Sequence, residues 1–178
     1  MIIKQFTDEA LAHFSYAIIS EGKMALVDPS RNPMPYYELA EEHEAEIVAV
    51  LETHPHADFV SGHLQIKEET GATIYVNEKV GVSYAFENFN NGKEVKIGKV
   101  KFSAFETPGH SPDSITIFAE DQEKKALFTG DTLFIGDVGR PDLREKAGNM
   151  MSKKEELAAM MFESIHSVYT QFPDDALV

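Results

Sequence analysis

Histidine and aspartate residues follow three of the apolar segments of this sequence. Residues 54–58 read His-Pro-His-Ala-Asp and come soon after the apolar run 47–51. His110 follows a Thr-Pro-Gly segment, and Asp131 follows a Thr-Gly pair. Alternate positions of an extended 54–58 segment point to the same side, so its two imidazoles and its carboxylate can share one face. Such ligands suit iron, zinc or manganese, and the pattern therefore predicts metal chemistry.

An ordinary polar turn is the alternative interpretation of the 54–58 segment when it is taken alone. The other two loops weaken that alternative, because each also delivers His or Asp at the end of an apolar segment. Gly109, just before His110, allows a close approach of the backbone or a positive φ. Three such loops together favour a metal site between packed sheets.

The elements that must position these residues are short. Strands are predicted at residues 14–19, 24–27, 47–51, 74–76, 95–97, 100–106, 114–119 and 126–129, and the start of another at 176–178. Helices are predicted at residues 35–46, at 61–70, and from a capping box of Ser152 and Glu155 to about residue 171. Strands with helices on their outer faces favour a layered α+β architecture.

The composition narrows the classes of function. A chain of 178 residues with 43% hydrophobic residues fits a single domain, residues 1–178, and its net charge of -14 disfavours nucleic acid and anionic membranes as partners. Cysteine is absent, so disulfides, thiolate ligands and a cysteine nucleophile are excluded. The N-terminal residues do not resemble a signal peptide and no apolar run would span a bilayer, so a cytoplasmic location is expected.

The sequence resembles the metallo-β-lactamase superfamily over almost its whole length. The resemblance rests on residues 54–58, 107–110, 129–131 and 136–143. The last segment is similar to the persulfide dioxygenase branch, in particular to bacterial proteins in which this domain precedes rhodanese-like domains. The resemblance implies a four-layer αββα sandwich, and it makes a rhodanese-like domain in a longer natural chain an expected partner.

Two departures from the superfamily pattern bear on the number of metal ions. Dinuclear members, such as glyoxalase II, carry a histidine directly after the aspartate of the first motif, where this chain has Phe59. Their late histidine follows a Tyr-Pro-Gly type segment, and this chain ends at Val178, about where that segment would begin. We therefore expect one metal ion, and a domain incomplete at its C-terminus whose unpaired sheet edge favours a homodimer.

The resemblance assigns His54, His110 and Asp131 to Fe(II), one ion per chain, with zinc as the alternative. Two histidines and one carboxylate on one face leave positions for a persulfide and dioxygen. His56 is either a fourth ligand or a residue that orients water and ligands, and we favour the second interpretation. With Asp58, it forms the predicted catalytic pair that tunes the metal.

Arg140 is predicted to bind a carboxylate of the substrate, because guanidinium makes bidentate hydrogen bonds. The alternative is a structural ion pair with Asp137 or Asp142. Asp28 is predicted to be structural. The remaining histidines, at positions 13, 43, 63 and 166, are predicted to be packing or surface residues.

The leading functional hypothesis is a mononuclear non-haem iron dioxygenase that converts a low-molecular-weight thiol persulfide to sulfite with O2. The first alternative is a zinc-dependent thioester hydrolase of the glyoxalase II type, for which a second metal ion would be the discriminating feature. The second alternative is a truncated metal-binding domain with little activity.

Overall fold

Two β-sheets form the centre of the fold in a computed structural model that describes residues 1–142, 146–147, 150–151 and 153–178. The first sheet has six strands in chain order: β1 Ile2–Asp8, β2 His13–Ser20, β3 Lys23–Val27, β4 Glu46–Leu51, β5 Thr73–Val76 and β6 Glu87–Asn88. The second sheet has the order β10-β9-β8-β7, from β7 Glu94–Ile97, β8 Val100–Glu106, β9 Ile115–Glu120 and β10 Lys125–Phe128. Strands β1 to β3 are antiparallel, and β3 to β6 are parallel.

The helices lie in the connections between strands and near the end of the chain. They are α1 Met34–Glu42, α2 His63–Thr70 and α3 Lys154–Glu163, with short 3-10 turns at Glu78–Val80 and Tyr169–Gln171 and a π-helical turn at Ser164–Val168. Two small hairpins complete the described elements: β11 Leu133–Phe134 with β12 Asp137–Val138, and β13 Lys146–Ala147 with β14 Met150–Met151. None of the helices in the described part of the chain has the length and apolar character needed to cross a membrane.

Alternation along the strands creates two separate hydrophobic layers. In β2, Ile18 faces the core between the two sheets, whereas Ala17 and Ile19 face the layer that contains residues of α1 and α2. Successive strand residues point to opposite faces, so one apolar strand can serve both layers. On the outer face of the second sheet, Phe172 packs against Phe105 and Phe118. The result is the predicted α+β sandwich, which is confirmed.

The predicted elements differ from the observed ones mainly at their ends. The sequence does not predict β1, β6 or the two small hairpins. Helix α1 ends at Glu42 instead of residue 46, because Glu44 adopts a positive φ of 49° and Glu46 already belongs to β4. The capping box is also different: Lys153 N donates to Glu156 Oε2 at 3.0 Å, and Ser152 lies outside the described residues. The predicted C-terminal strand is present only as a bridge between Leu177 and β10.

The loops after β3, β4, β8 and β10 meet at one edge of the sandwich. Asp28 follows β3 and accepts hydrogen bonds from Thr53, which follows β4. His110 follows β8 and lies within ion-pair distance of Asp131, which follows β10. Strands therefore fix the starting points of all the loops that carry the predicted site.

Candidate metal centre

Three of the predicted residues converge on one point at this edge. His54 Nε2 lies 3.7 Å from Asp131 Oδ2, and His110 Nε2 lies 3.6 Å from the same oxygen. One donor atom of each residue lies within 4.8 Å of the others. Ligands held about 2.1 Å from one metal ion are about 3 to 4 Å apart, so the donor atoms are spaced as a single ion requires.

The orientation of His54 is set by a buried chain of hydrogen bonds. Thr53 Oγ1 donates its one proton to Asp28 Oδ2 at 2.6 Å, and it also lies 3.0 Å from His54 Nδ1. Because the hydroxyl has only one proton, it accepts from His54 Nδ1–H. The proton is then on Nδ1, and Nε2, which faces Asp131, carries the lone pair that a metal ion needs.

Asp28 itself is held in an unusual backbone conformation, with a φ of 48°. Its carboxylate also accepts from Thr53 N at 2.7 Å, which satisfies a buried amide of the β4 loop. Burial raises the pKa of Asp28, but the charge of His56 and the hydrogen bonds from Thr53 outweigh burial, and the pKa lies below its ordinary value. Asp28 is thus an anion that supports the 54–58 loop, in keeping with its predicted structural role.

Two glycines allow the loops to approach one another. A Cβ at Gly130, whose φ is 51°, would lie 2.4 Å from Thr53 Oγ1 and 3.2 Å from His54 Nδ1. A Cβ at Gly109 would lie 2.6 Å from Met161 Cβ on α3. The close approach expected at Gly109 is therefore toward a helix, which supports the His110 loop from behind.

His56 faces a different group of side chains from His54. Its Nε2 lies 3.4 Å from Asp28 Oδ1 and 3.9 Å from Glu52 Oε2. Burial alone would lower the pKa of His56, but the charges of Asp28 and Glu52 raise it to about 9. His56, Asp28 and Glu52 form a second group of side chains spaced as possible metal ligands, separate from His54, His110 and Asp131. The role of His56, as a fourth ligand or as a supporting residue, stays a prediction.

Glu52 is a site residue that the sequence did not suggest. It is 4% exposed, it accepts from Ser61 Oγ at 2.7 Å, and its Oε1 lies 3.2 Å from His63 Nδ1. These contacts join the end of β4 to the first residue of α2. A carboxylate directly after the apolar run 47–51 was the available signal, because buried acids require partners.

Phe59 stands at the position where the resemblance implies a histidine in dinuclear members, and its ring packs beside the site. Its ring centroid lies 4.3 Å from that of His56 and 4.1 Å from that of His13. An aromatic ring offers no ligand atom at this position. His13, predicted to be a packing or surface residue, therefore packs at the site.

Asp58 and Arg140 complete the predicted set. Asp58 lines the cavity beside Asp131 but belongs to neither cluster of possible metal ligands among the described residues. Arg140 forms a bidentate ion pair with Asp142, at 3.1 and 2.7 Å, and its side chain is 66% exposed. This geometry corresponds to the structural alternative for Arg140, and substrate binding by Arg140 stays a prediction.

Known proteins match most of the chain. The family model of the metallo-beta-lactamase superfamily matches residues 8–178. A probable hydroxyacylglutathione hydrolase of Schizosaccharomyces pombe is 31% identical over 174 residues, which are 93% of this chain and 62% of that protein. The cytoplasmic hydroxyacylglutathione hydrolase of Arabidopsis thaliana is 34% identical over 134 residues, 72% of this chain and 52% of that protein.

Solved structures agree with this result. A metallo-beta-lactamase from Staphylococcus aureus superposes with a TM-score of 0.87 at 33% identity, covering 98% of this chain and 54% of that one. ETHE1 from Myxococcus xanthus superposes with a TM-score of 0.84 at 28% identity, covering 98% of this chain and 72% of that one. The chain spans 62% of the length of the Schizosaccharomyces pombe relative and 52% of the length of the Arabidopsis thaliana relative.

Proposed function

The chain belongs to the metallo-beta-lactamase superfamily, and from this premise we propose that it is a mononuclear iron persulfide dioxygenase. The proposed reaction combines a thiol persulfide, one O2 and one water to form the thiol, sulfite and two protons. The outer sulfur is oxidised, dioxygen is reduced, and the S–S bond is broken. The likeness to ETHE1 supports this branch of the superfamily.

The observation that carries the proposal is Phe59, which offers no ligand atom beside the convergent set of His54, His110 and Asp131. The second group of possible ligands, Asp28, Glu52 and His56, already accepts hydrogen bonds from Thr53 and Ser61 through its carboxylates. His54, His110 and Asp131 supply two nitrogens and one oxygen at spacings that suit one ion. The second superfamily site would need a ligand at position 59, where the chain has a benzyl ring. A centre with one ion and open positions fits an oxygenase better than a dinuclear hydrolase.

His54, His110 and Asp131 would hold Fe(II), which supplies positions where a sulfur and dioxygen can react. The residues of the chain prepare that centre. Thr53 holds the proton of His54 on Nδ1. The rings of His13 and Phe59 pack against each other and against His56 on one side of the centre.

Asp58 and His56 are proposed to act on the substrate side of the centre. Both line the same cavity as Asp131. The charge of His56 is balanced by Asp28 and Glu52, so it can orient a water or a sulfur without adding a net charge to the wall. Their contribution is positioning of the reactants, which can supply a large part of a rate enhancement.

A zinc-dependent thioester hydrolase is the second candidate. It is favoured by the curated relatives, which are named hydroxyacylglutathione hydrolases and are 31% and 34% identical to this chain. In that case the same three ligands would hold zinc, and Asp58 would handle a proton of the attacking water.

Metal analysis combined with two activity assays separates the candidates. Protein produced without added zinc is loaded anaerobically with Fe(II) or with Zn(II), and each form is tested for O2 consumption with a persulfide and for thioester hydrolysis. We expect one metal ion per chain and O2 consumption only with iron, lost in His54→Ala. Two zinc ions per chain with thioesterase activity would establish the hydrolase instead. Metal binding without either activity would indicate the truncated domain.

A further inference from the structure

A large cavity lies next to the proposed metal centre. Its volume is about 630 Å³, a size typical of small-molecule sites, and Asp58 and Asp131 form part of its wall. The opposite wall is apolar. It is built from the turn before β2, from β2, from β10 and from the β11–β12 hairpin, by the side chains of Leu11, Phe14, Tyr16, Phe128, Leu133 and Ile135.

Several of these apolar side chains are exposed to an unusual degree. Phe14 is 48% exposed, Phe134 is 44% exposed, and Ile135 at the tip of the β11–β12 hairpin is 95% exposed. Large apolar side chains that are exposed around one concave surface mark a binding site for an apolar group. Each of them gains burial when such a group enters the cavity.

The charges around the cavity also favour an uncharged ligand. Among the described residues, neither lysine nor arginine lines it. Its acidic lining residues are Asp28, Asp58 and Asp131. The described lining therefore offers neither lysine nor arginine to pair with the carboxylates of an anionic carrier such as glutathione.

We propose that this cavity binds the uncharged, apolar substituent of a small thiol persulfide, with the sulfur chain directed toward Asp131. The inference rests on the proposed function and adds a substrate class to it. The chain would prefer alkyl or aryl persulfides to persulfides whose thiol carrier has carboxylates. The β11–β12 hairpin is then a specificity element, and Ile135 is its outermost contact.

The first test compares two probes on the iron-loaded chain. Initial rates of O2 consumption are measured with benzyl persulfide and with glutathione persulfide. We expect kcat/KM to be at least about tenfold higher for the benzyl compound, since burial of one aromatic group supplies that much. Equal values, or a preference for glutathione persulfide, would overturn the inference.

The second test changes the charge of the cavity rim. Ile135→Lys places a cation at an exposed position of the rim. We expect the ratio of kcat/KM for benzyl persulfide to kcat/KM for glutathione persulfide to fall by about threefold or more. Val60→Lys is the matched control, because Val60 is 61% exposed and does not line the cavity. An identical response of the two variants would show that the rim does not contact the substrate.

Binding to the metal-free chain separates this inference from the proposed function. Isothermal titration with benzyl mercaptan and with glutathione needs no turnover. If no persulfide is consumed by the iron-loaded chain, the dioxygenase proposal fails. Tighter binding of benzyl mercaptan would still uphold the cavity assignment, and equal or tighter binding of glutathione would refute it.

Discussion

Two histidines in one short motif have different chemical surroundings. His54 Nδ1 is hydrogen-bonded to the hydroxyl of Thr53, so Nε2 is the nitrogen that faces Asp131. His56 instead meets the carboxylates of Asp28 and Glu52, which keep it protonated at neutral pH in the metal-free chain. The distinction between a ligand and a supporting residue therefore depends on neighbours from other segments.

Thr53→Val tests the hydrogen-bond chain behind His54. Valine has nearly the same shape, but it cannot accept from His54 Nδ1 or donate to Asp28. We expect metal affinity to fall by about 10- to 100-fold and the free energy of unfolding to fall by about 1 to 3 kcal/mol. Chelator competition and thermal unfolding measure the two effects. Thr170→Val, at an exposed hydroxyl, should change neither, and unchanged affinity in Thr53→Val would remove Thr53 from the centre.

At the scale of elements, the centre depends on how closely strand ends approach. The loop after β10 reaches the loop after β4 because Gly130 leaves no side chain between them. The loop after β8 is held against α3, where Gly109 contacts Met161. Loop positions of this kind tolerate little change, because an added methyl group would collide with Thr53 at Gly130 and with Met161 at Gly109.

Gly130→Ala compared with Gly136→Ala isolates this close approach. Both glycines have a positive φ, 51° and 82°, but a Cβ at Gly136 meets nothing within 4 Å. We expect Gly136→Ala to cost about 1 kcal/mol through backbone strain alone. Gly130→Ala should cost more and should also weaken metal binding. Equal losses of stability in the two variants, with normal metal affinity, would show that the close approach of Gly130 to Thr53 does not support the metal centre.

Tyr169 ties the segment after α3 to the second sheet, and its titration reports on that contact. Its hydroxyl lies 2.6 Å from Thr116 Oγ1, and burial raises the pKa of Tyr169 to about 12. Tyrosine in an unfolded chain titrates near pH 10. Because the pKa of Tyr169 is higher in the folded chain, the contribution of its protonated form to the free energy of unfolding is complete below about pH 10 and is lost as the pH rises toward 12. Tyr169→Phe should lower stability at pH 7 and flatten the decline between pH 10 and 12, measured by denaturant unfolding. A decline of the same steepness in the variant would exclude Tyr169 as its cause.

At the scale of the whole molecule, charge affects which substrates approach. The net charge is -14 and the cavity wall carries three aspartates. The predicted lack of nucleic-acid and membrane partners rests on the same charge and stays a prediction. The cytoplasmic location, the homodimer and the neighbouring rhodanese-like domain also stay predictions.

Salt should change the rates for the two classes of persulfide differently. An anionic persulfide is repelled at low ionic strength, so its kcat/KM should rise by about twofold or more between 20 mM and 300 mM salt as repulsion is screened. The value for a neutral persulfide should change little, and it serves as the control. A kcat/KM for glutathione persulfide that falls with salt would reveal an attractive site for anions.

Much of the centre could be predicted from sequence because its residues lie in short motifs after apolar strands. His54, His110 and Asp131 were all proposed from such motifs, and the structure brings them together. Glu52 and His63 were not proposed, because nothing in their spacing shows that the end of β4 and the start of α2 share a hydrogen-bonded cluster with Ser61.

The sequence by itself determined the candidate metal-binding residues, the layered α+β class and the presence of Phe59 in place of a ligand. Local patterns suffice for these, since they depend on residue type and on the alternation of apolar side chains. Only the tertiary structure decided that His54 faces Asp131 while His56 faces Asp28, and that an apolar cavity opens beside the centre. The physical reason is that the partners come from distant strands, whose packing, and not spacing along the chain, sets the direction of each side chain.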